Sequence, residues 1–118
     1  MTYPFQIGAL SDDGDVDYHA SDHLSASVFT GYNGERAWCA RMRRDPTFRS
    51  ENIRIVRAAD GILASQLYVI DRTVRIESSE LRMGGIGGVG TDPKYRKQGM
   101  ASARMRDAEA FMKTNDFD

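Results

Sequence analysis

Apolar and polar positions alternate weakly over residues 3–10, where Tyr3, Phe5 and Ile7 lead to Leu10, and this period of two predicts a first strand. Ser11-Asp12-Asp13-Gly14-Asp15 follows as a turn and a helix-start signal. Val16, Ala20, Leu24 and Val28 then recur every four residues, with Phe29 beside the last, and predict one face of a helix. Gly31-Tyr32-Asn33-Gly34 breaks that face. Residues 35–44 predict a second, short helix with Ala37, Trp38 and Met42 inward and the arginines outward. Asp45-Pro46 ends it, because a residue before proline avoids the helical region.

The middle of the chain predicts strands. Residues 52–58 carry Ile53, Ile55 and Val56. Asp60-Gly61 predicts a hairpin turn, since glycine accepts positive φ. A long apolar strand follows over 62–70. Asp71-Arg72 predicts a turn into 73–77, where Val74 and Ile76 alternate with Thr73, Arg75 and Glu77. Ser78-Ser79-Glu80 breaks the pattern. Residues 81–91 are glycine-rich yet carry Leu81, Met83, Ile86 and Val89, and their second half predicts another strand. A last helix is expected from about 98 to 113, with Met100, Ala101, Met105, Ala108 and Met112 inward and Arg104, Arg106, Asp107 and Lys113 turned elsewhere. The order β-α-α-β-β-β-α, or one strand more if 73–77 is separate, describes an α+β fold, a mostly antiparallel meander flanked by helices.

Length and charge narrow the function classes. The 118 residues predict a single domain over 1–118. Hydrophobic residues at 41% and charged residues at 28% are a normal globular mix. A net charge of −1 argues against a polybasic nucleic-acid binder. No apolar run approaches the ~20 residues that span a bilayer, and the N-terminus has neither a basic start nor an apolar signal core, so neither membrane nor secretion is expected. A single cysteine, Cys39, excludes an internal disulfide and a multi-cysteine zinc site, and a cytoplasmic setting is the expectation. His19 and His23 lie four apart with Asp22 between them, a spacing that can hold a metal, but no third ligand is evident and no metal is expected. Asp12, Asp13, Asp15, Asp17 and Asp22 crowd the first quarter and suit attraction of a cationic amine.

The glycine segment offers two readings. Gly85-Ile86-Gly87-Gly88-Val89-Gly90 matches G-x-G-x-x-G, yet no helix begins inside it and Pro93 follows, so a dinucleotide turn of an oxidoreductase is disfavoured. Downstream, Arg96-Lys97-Gln98-Gly99-Met100-Ala101 opens the best-defined helix. The first turn of a helix leaves N–H groups unpaired, and the macrodipole adds partial positive charge there, so a pyrophosphate can accept those bonds. Gly99 has no Cβ and lets phosphate oxygens approach the backbone; Ala101 is nearly as small. Arg96 and Lys97 add full charges at the rim, and Ser102 offers a further hydrogen bond.

The thirteen residues from Val89 to Ala101, Val-Gly-Thr-Asp-Pro-Lys-Tyr-Arg-Lys-Gln-Gly-Met-Ala, resemble the acetyl-CoA-binding motif of the GCN5-related N-acetyltransferase (GNAT) superfamily. That motif is a V-x-V strand, then x-P-x-[YF]-R, then [QR]-x-x-G-x-[GA] opening a helix. The element order agrees with the same superfamily, and Met83-Gly84-Gly85-Ile86-Gly87-Gly88-Val89 resembles the N-terminal domain of its enhanced-intracellular-survival type. The resemblance implies acetyl-CoA as cosubstrate and a primary amine, of unread identity, as acceptor. Val89, Gly90 and Thr91 would lie along the pantetheine arm, with one strand amide polarising the thioester carbonyl. Arg96, Lys97, Gln98, Gly99, Met100, Ala101 and Ser102 would cradle the pyrophosphate.

Two departures stand beside this. Many family members place a glutamate just before V-x-V, where this chain has Gly84, Gly85, Gly87 and Gly88; the remaining carboxylate candidates are Glu77 and Glu80. The family fold also continues past the last helix with further strands. The chain is therefore expected to be the N-terminal part of the fold, completed by a missing C-terminal segment or by a second copy. The alternative function is a non-catalytic acyl-CoA-binding or protein-interaction module of the same fold.

Overall fold

A computed structural model describes residues 4–10, 16–28 and 41–118. Its elements run β1 (Gln6–Ala9), α1 (Val16–Val28), β2 (Ile53–Arg57), β3 (Leu63–Ile76), β4 (Ser79–Thr91) and α2 (Met100–Thr114). Residues 41–43 are also helical and stop short of Asp45-Pro46, as the proline requires. The rest of the expected second helix, with Trp38 and Cys39, lies outside the described residues, as does Phe29. The four strands form one sheet in the order β1-β2-β3-β4, antiparallel at every step. This is the α+β architecture that the hydrophobic pattern predicts.

Side-chain alternation along the strands builds a core on each face of the sheet. On one face Ile53, Ile55 and Tyr68 pack with Leu10, Leu63 and Leu24 of α1. Gln66, fully buried on that face, donates to Ser25 Oγ at 2.7 Å and to the Ser21 carbonyl at 3.2 Å, and accepts from Ser21 Oγ. Its amide is thereby satisfied, which is what permits a polar residue at 0% exposure. On the other face Val56 and Ala64 meet Met100 and Ala103 of α2, and Leu67 and Val69 meet Ala108.

The β3–β4 hairpin departs from the sequence expectation. Asp71-Arg72 is no turn. It sits inside a 14-residue strand, paired Asp71↔Gly84 and Arg72↔Met83. Arg82 on β4 holds Asp71 at 2.8 Å, so two charged residues that look like a surface turn are a cross-strand partner and its neighbour. The chain reverses instead at Glu77-Ser78, between paired Ile76 and Ser79, with Glu77 at φ 55°. Two-residue hairpins demand such a positive φ, which a glycine or asparagine usually supplies. β4 consequently fills the whole of 79–91 rather than its second half.

The inner face of α2 is also rotated from expectation. Met100, Ala103, Arg104 and Ala108 are buried, whereas Ala101 is exposed and Met105 is 37% exposed. Asp107 is half-buried against Arg54 of β2, whose guanidinium donates to it at 2.7 and 3.1 Å and lies 4.5 Å from the centre of the Phe111 ring. Two charged residues placed outward by their chemistry therefore face inward. Past α2, the Asp118 amide donates to the Arg82 carbonyl at 2.8 Å, and the Asp118 carboxylate accepts from the Arg82 amide at 2.6 Å. The end of the chain thus lies against the edge of β4.

Candidate functional site

The site grows from one irregularity in β4. Ser65 pairs with Thr91 and Gln66 with Gly90, but Tyr68 pairs with Gly87, so Gly88 and Val89 together oppose Leu67. Two residues against one make a β-bulge, and Gly88 at φ 59° takes the left-handed position that one bulge type reserves for glycine. The bulge bends β4 where Val89, Gly90 and Thr91 begin. Val89 is exposed, while Gly90 is buried with its carbonyl accepting from Ser65 Oγ at 3.2 Å and from Arg104 at 3.1 Å. The Thr91 hydroxyl meets Ser65 Oγ at 2.8 Å.

From Thr91 the chain turns sharply. Asp92 donates its amide to the Ala64 carbonyl and accepts from the Lys94 amide at 3.0 Å, which caps a single 3₁₀ turn over Pro93–Tyr95. Tyr95 packs against the Phe5, Val56 and Met100 cluster and donates its hydroxyl to Asp60 at 2.6 Å. That bond moors the loop to the Asp60-Gly61 turn between β2 and β3. It holds the Asp60 carboxyl below the usual carboxylate range, with the Ile62 amide helping, and it pushes the Tyr95 phenol up.

Lys97 at φ 65° and Gly99 at φ 81° then bring the chain round into α2. The first intrahelical bond of the turn runs from the Ala103 amide to the Gly99 carbonyl. Among the described residues no protein group accepts from the amides of Gly99, Met100, Ala101 or Ser102, and Gly99 has no side chain with which to cap them. A Cβ built on Gly99 would meet nothing within 4 Å, so the space beside Gly99 itself is open. Arg96, Lys97 and Gln98 are exposed beside it, and among the described residues neither cation pairs with a carboxylate. Thr91, Tyr95, Arg96, Lys97, Gly99 and the first turn of α2 line a concavity of about 250 Å³. Bare amides, a helix N-terminus and two rim cations suit a diphosphate. The volume is too small for a whole dinucleotide-sized ligand, which would extend along the surface.

The other sequence candidates lie elsewhere. Glu77 sits in the hairpin turn, and Glu80 pairs with Arg75 at 2.7 Å beside it. At ~3.3 Å per residue, β4 carries Glu80 on the order of 30 Å from Val89. The structure does not bring either carboxylate to the concavity. His19 and His23 are exposed on α1, and both oxygens of Asp22 accept from Arg43 at 2.7 Å, an ion pair that occupies that carboxylate. Arg104, Ser65 and the Gly88 bulge take part in the site but were not singled out by sequence reasoning. Glycines inside a strand pattern are the available signal for a bulge, but five of them between 84 and 90 do not say which one bulges. Gly84, in the stretch without a carboxylate, is where β4 and the end of α2 approach closely: a Cβ there would run into the Met112 sulfur and lie 3.1 Å from the Phe117 ring.

Comparison with known proteins bears on this geometry. The sequence profile of the acetyltransferase (GNAT) domain matches residues 14–117. No curated protein matches the chain. Among solved structures, a GCN5-related N-acetyltransferase from Anabaena variabilis superposes with a TM-score of 0.75 at 18% identity, over 96% of this chain and 27% of that one. N-myristoyltransferase from Saccharomyces cerevisiae, with bound myristoyl-CoA, superposes with a TM-score of 0.79 at 10% identity, over 99% of this chain and 30% of that one. A probable N-acyltransferase from Enterococcus faecalis gives 0.73 at 18% identity, over 96% and 27%. The chain therefore spans less than a third of the length of each of these proteins.

Proposed function

The chain belongs to the GNAT acetyltransferase domain family, and on that premise we propose that it is the acetyl-CoA-binding part of an N-acetyltransferase that acts on a primary amine. The first turn of α2, with Arg96 and Lys97, takes the diphosphate. The exposed edge of β4 at Val89 to Thr91 takes the pantetheine arm, and an amide beside the Gly88 bulge polarises the thioester carbonyl. The neutral amine attacks that carbonyl, the N–C bond forms, the C–S bond breaks, and the coenzyme leaves as the thiolate. The proton of the amine must be removed for this step. Catalytic turnover belongs to the whole protein, including any segment beyond Asp118 that completes the sheet.

One observation carries the reading: the amides of Gly99 to Ser102 line a concavity and, with the flanking cations Arg96 and Lys97, have no partner among the described residues. Calorimetry with CoA and acetyl-CoA tests it. Saturable binding of both is expected, and Gly99→Glu should abolish it by placing a carboxylate where the diphosphate sits. No heat from either ligand up to tens of micromolar and beyond would sink the reading.

A second reading, a non-catalytic acyl-CoA-binding module, is favoured by the remoteness of Glu77 and Glu80 from Val89. Release of free thiol from acetyl-CoA in the presence of a panel of primary amines separates the two. Binding without amine-dependent thiol release supports the module.

A further inference from the structure

Arg104 is the buried charge that the preceding reading does not use. Its residue is 4% exposed, and among the described residues no carboxylate pairs with it. Nη1 donates to Ser65 Oγ at 2.6 Å, to the Gly90 carbonyl at 3.1 Å, to the Gln66 carbonyl at 3.2 Å and to Thr91 Oγ1 at 3.3 Å. Nε is buried and has no hydrogen-bond partner among the described residues. Removing a guanidinium from water without a counter-charge is strongly unfavourable. Burial lowers the affinity of Arg104 for its proton, yet a guanidinium stays charged at neutral pH.

What Arg104 touches suggests why a charge sits there. Its four acceptors are the residues that carry β4 and β3 past the bulge. Thr91 also lines the concavity, as do Met100 and Ala101 from the same helix as Arg104. A single nitrogen therefore ties the strand segment to the helix whose first turn is open. These are the two sources of backbone amides that must face one extended ligand together.

We propose that Arg104 is a positioning residue for an anionic, diphosphate-bearing cosubstrate: it locks Gly90 and Thr91 in register with the first turn of α2, and its uncompensated charge is balanced by the bound diphosphate. The inference rests on the cosubstrate site described above. It adds to that site an interior cation standing one side chain behind the wall. The rim cations Arg96 and Lys97 are hydrated and screened by salt. Arg104 is shielded from water, so its field persists at higher ionic strength.

The test compares CoA, measured by calorimetry, with pantetheine, which lacks the diphosphate, measured by amide shifts in a titration. Arg104→Met keeps the bulk and removes the charge. Arg104→Lys keeps the charge and loses most of the hydrogen bonds. In Arg104→Met the preference for CoA over pantetheine should fall by about ten-fold or more. In Arg104→Lys that preference should stay within about three-fold of the parent, while both ligands weaken as the strand loses its register. Equal weakening of both ligands in Arg104→Met, or an unchanged preference, overturns the charge role. If Arg104→Met does not fold, Arg104→Lys decides alone, and loss of its preference for CoA overturns the proposal. A parent protein that binds CoA while the variants keep its preference removes only the role of Arg104. A parent that binds neither ligand removes the cosubstrate site as well.

Discussion

Tyr95 and Asp60 show how single residues fix the loop that feeds the site. The 2.6 Å bond from phenol to carboxylate joins the 3₁₀ turn at Pro93–Tyr95 to the β2–β3 turn, and it does so on an exposed surface. Asp60 titrates below its ordinary value in the folded chain, first because of the Tyr95 hydroxyl and then because of the Ile62 amide. Its contribution to stability is therefore present above the unfolded carboxylate pKa and lost as pH falls through the folded value. Tyr95 titrates above its ordinary value, chiefly through the same bond, so its contribution is present below the unfolded phenol pKa and lost as pH rises through the folded one. The difference in urea midpoint between the parent and Tyr95→Phe should accordingly be widest between about pH 5 and 8 and should shrink on both sides. A difference independent of pH would mean that the phenol only packs. Because the Ile62 amide remains in the variant, part of the Asp60 depression should survive.

At the level of elements, the β3–β4 hairpin decides where the site lies, and its turn is its weak point. Glu77 holds φ 55° with a full side chain, a conformation that costs a non-glycine residue about 1 kcal/mol or more. Glu77→Gly should therefore stabilise the domain by about 0.5–1 kcal/mol, read as a higher urea midpoint at unchanged slope. A lower midpoint would show that Glu77 makes a favourable contact at the turn. The same hairpin shows what composition conceals. Asp71-Arg72 has the residues of a turn, and only the partner strand reveals Arg82 at 2.8 Å holding that aspartate inside a ladder. Helix α2 repeats the lesson. Its length is legible from periodicity, and its start, expected at about 98, lies at Met100. Its inner face was misjudged because an arginine is expected in water, and the acceptors that bring Arg104 inward come from β3 and β4, far away in sequence.

At the level of the whole molecule, the sheet acts as a partition. α1 covers one face, α2 covers the other, and the concavity lies where β4 bends away at its bulge near the start of α2. A ligand that bridges β4 and α2 binds the folded chain and not the unfolded one, so CoA at 100 times its Kd should raise stability by about 2.7 kcal/mol. Thermal unfolding with and without CoA measures this. A melting temperature that ignores saturating CoA would argue against any site spanning strand and helix. The chain covers less than a third of each of the three solved proteins named above, so acceptor recognition stays a proposal to be tested.

Local physics settled a good part of this protein before any fold was known. The order of the described strands and helices, the hairpin at Asp60-Gly61 and the helix that opens beside Gly99 all depend on neighbours within a few residues. Periodicity and backbone preference act over that range and can be read along the chain. Three matters were left to long-range contact: that β4 bulges at Gly88, that Asp71 lies within a strand, and that Arg104 is buried beneath Gly90 and Thr91. Each depends on a hydrogen-bond partner more than ten residues away, and such partners exist only once sheet and helix have packed.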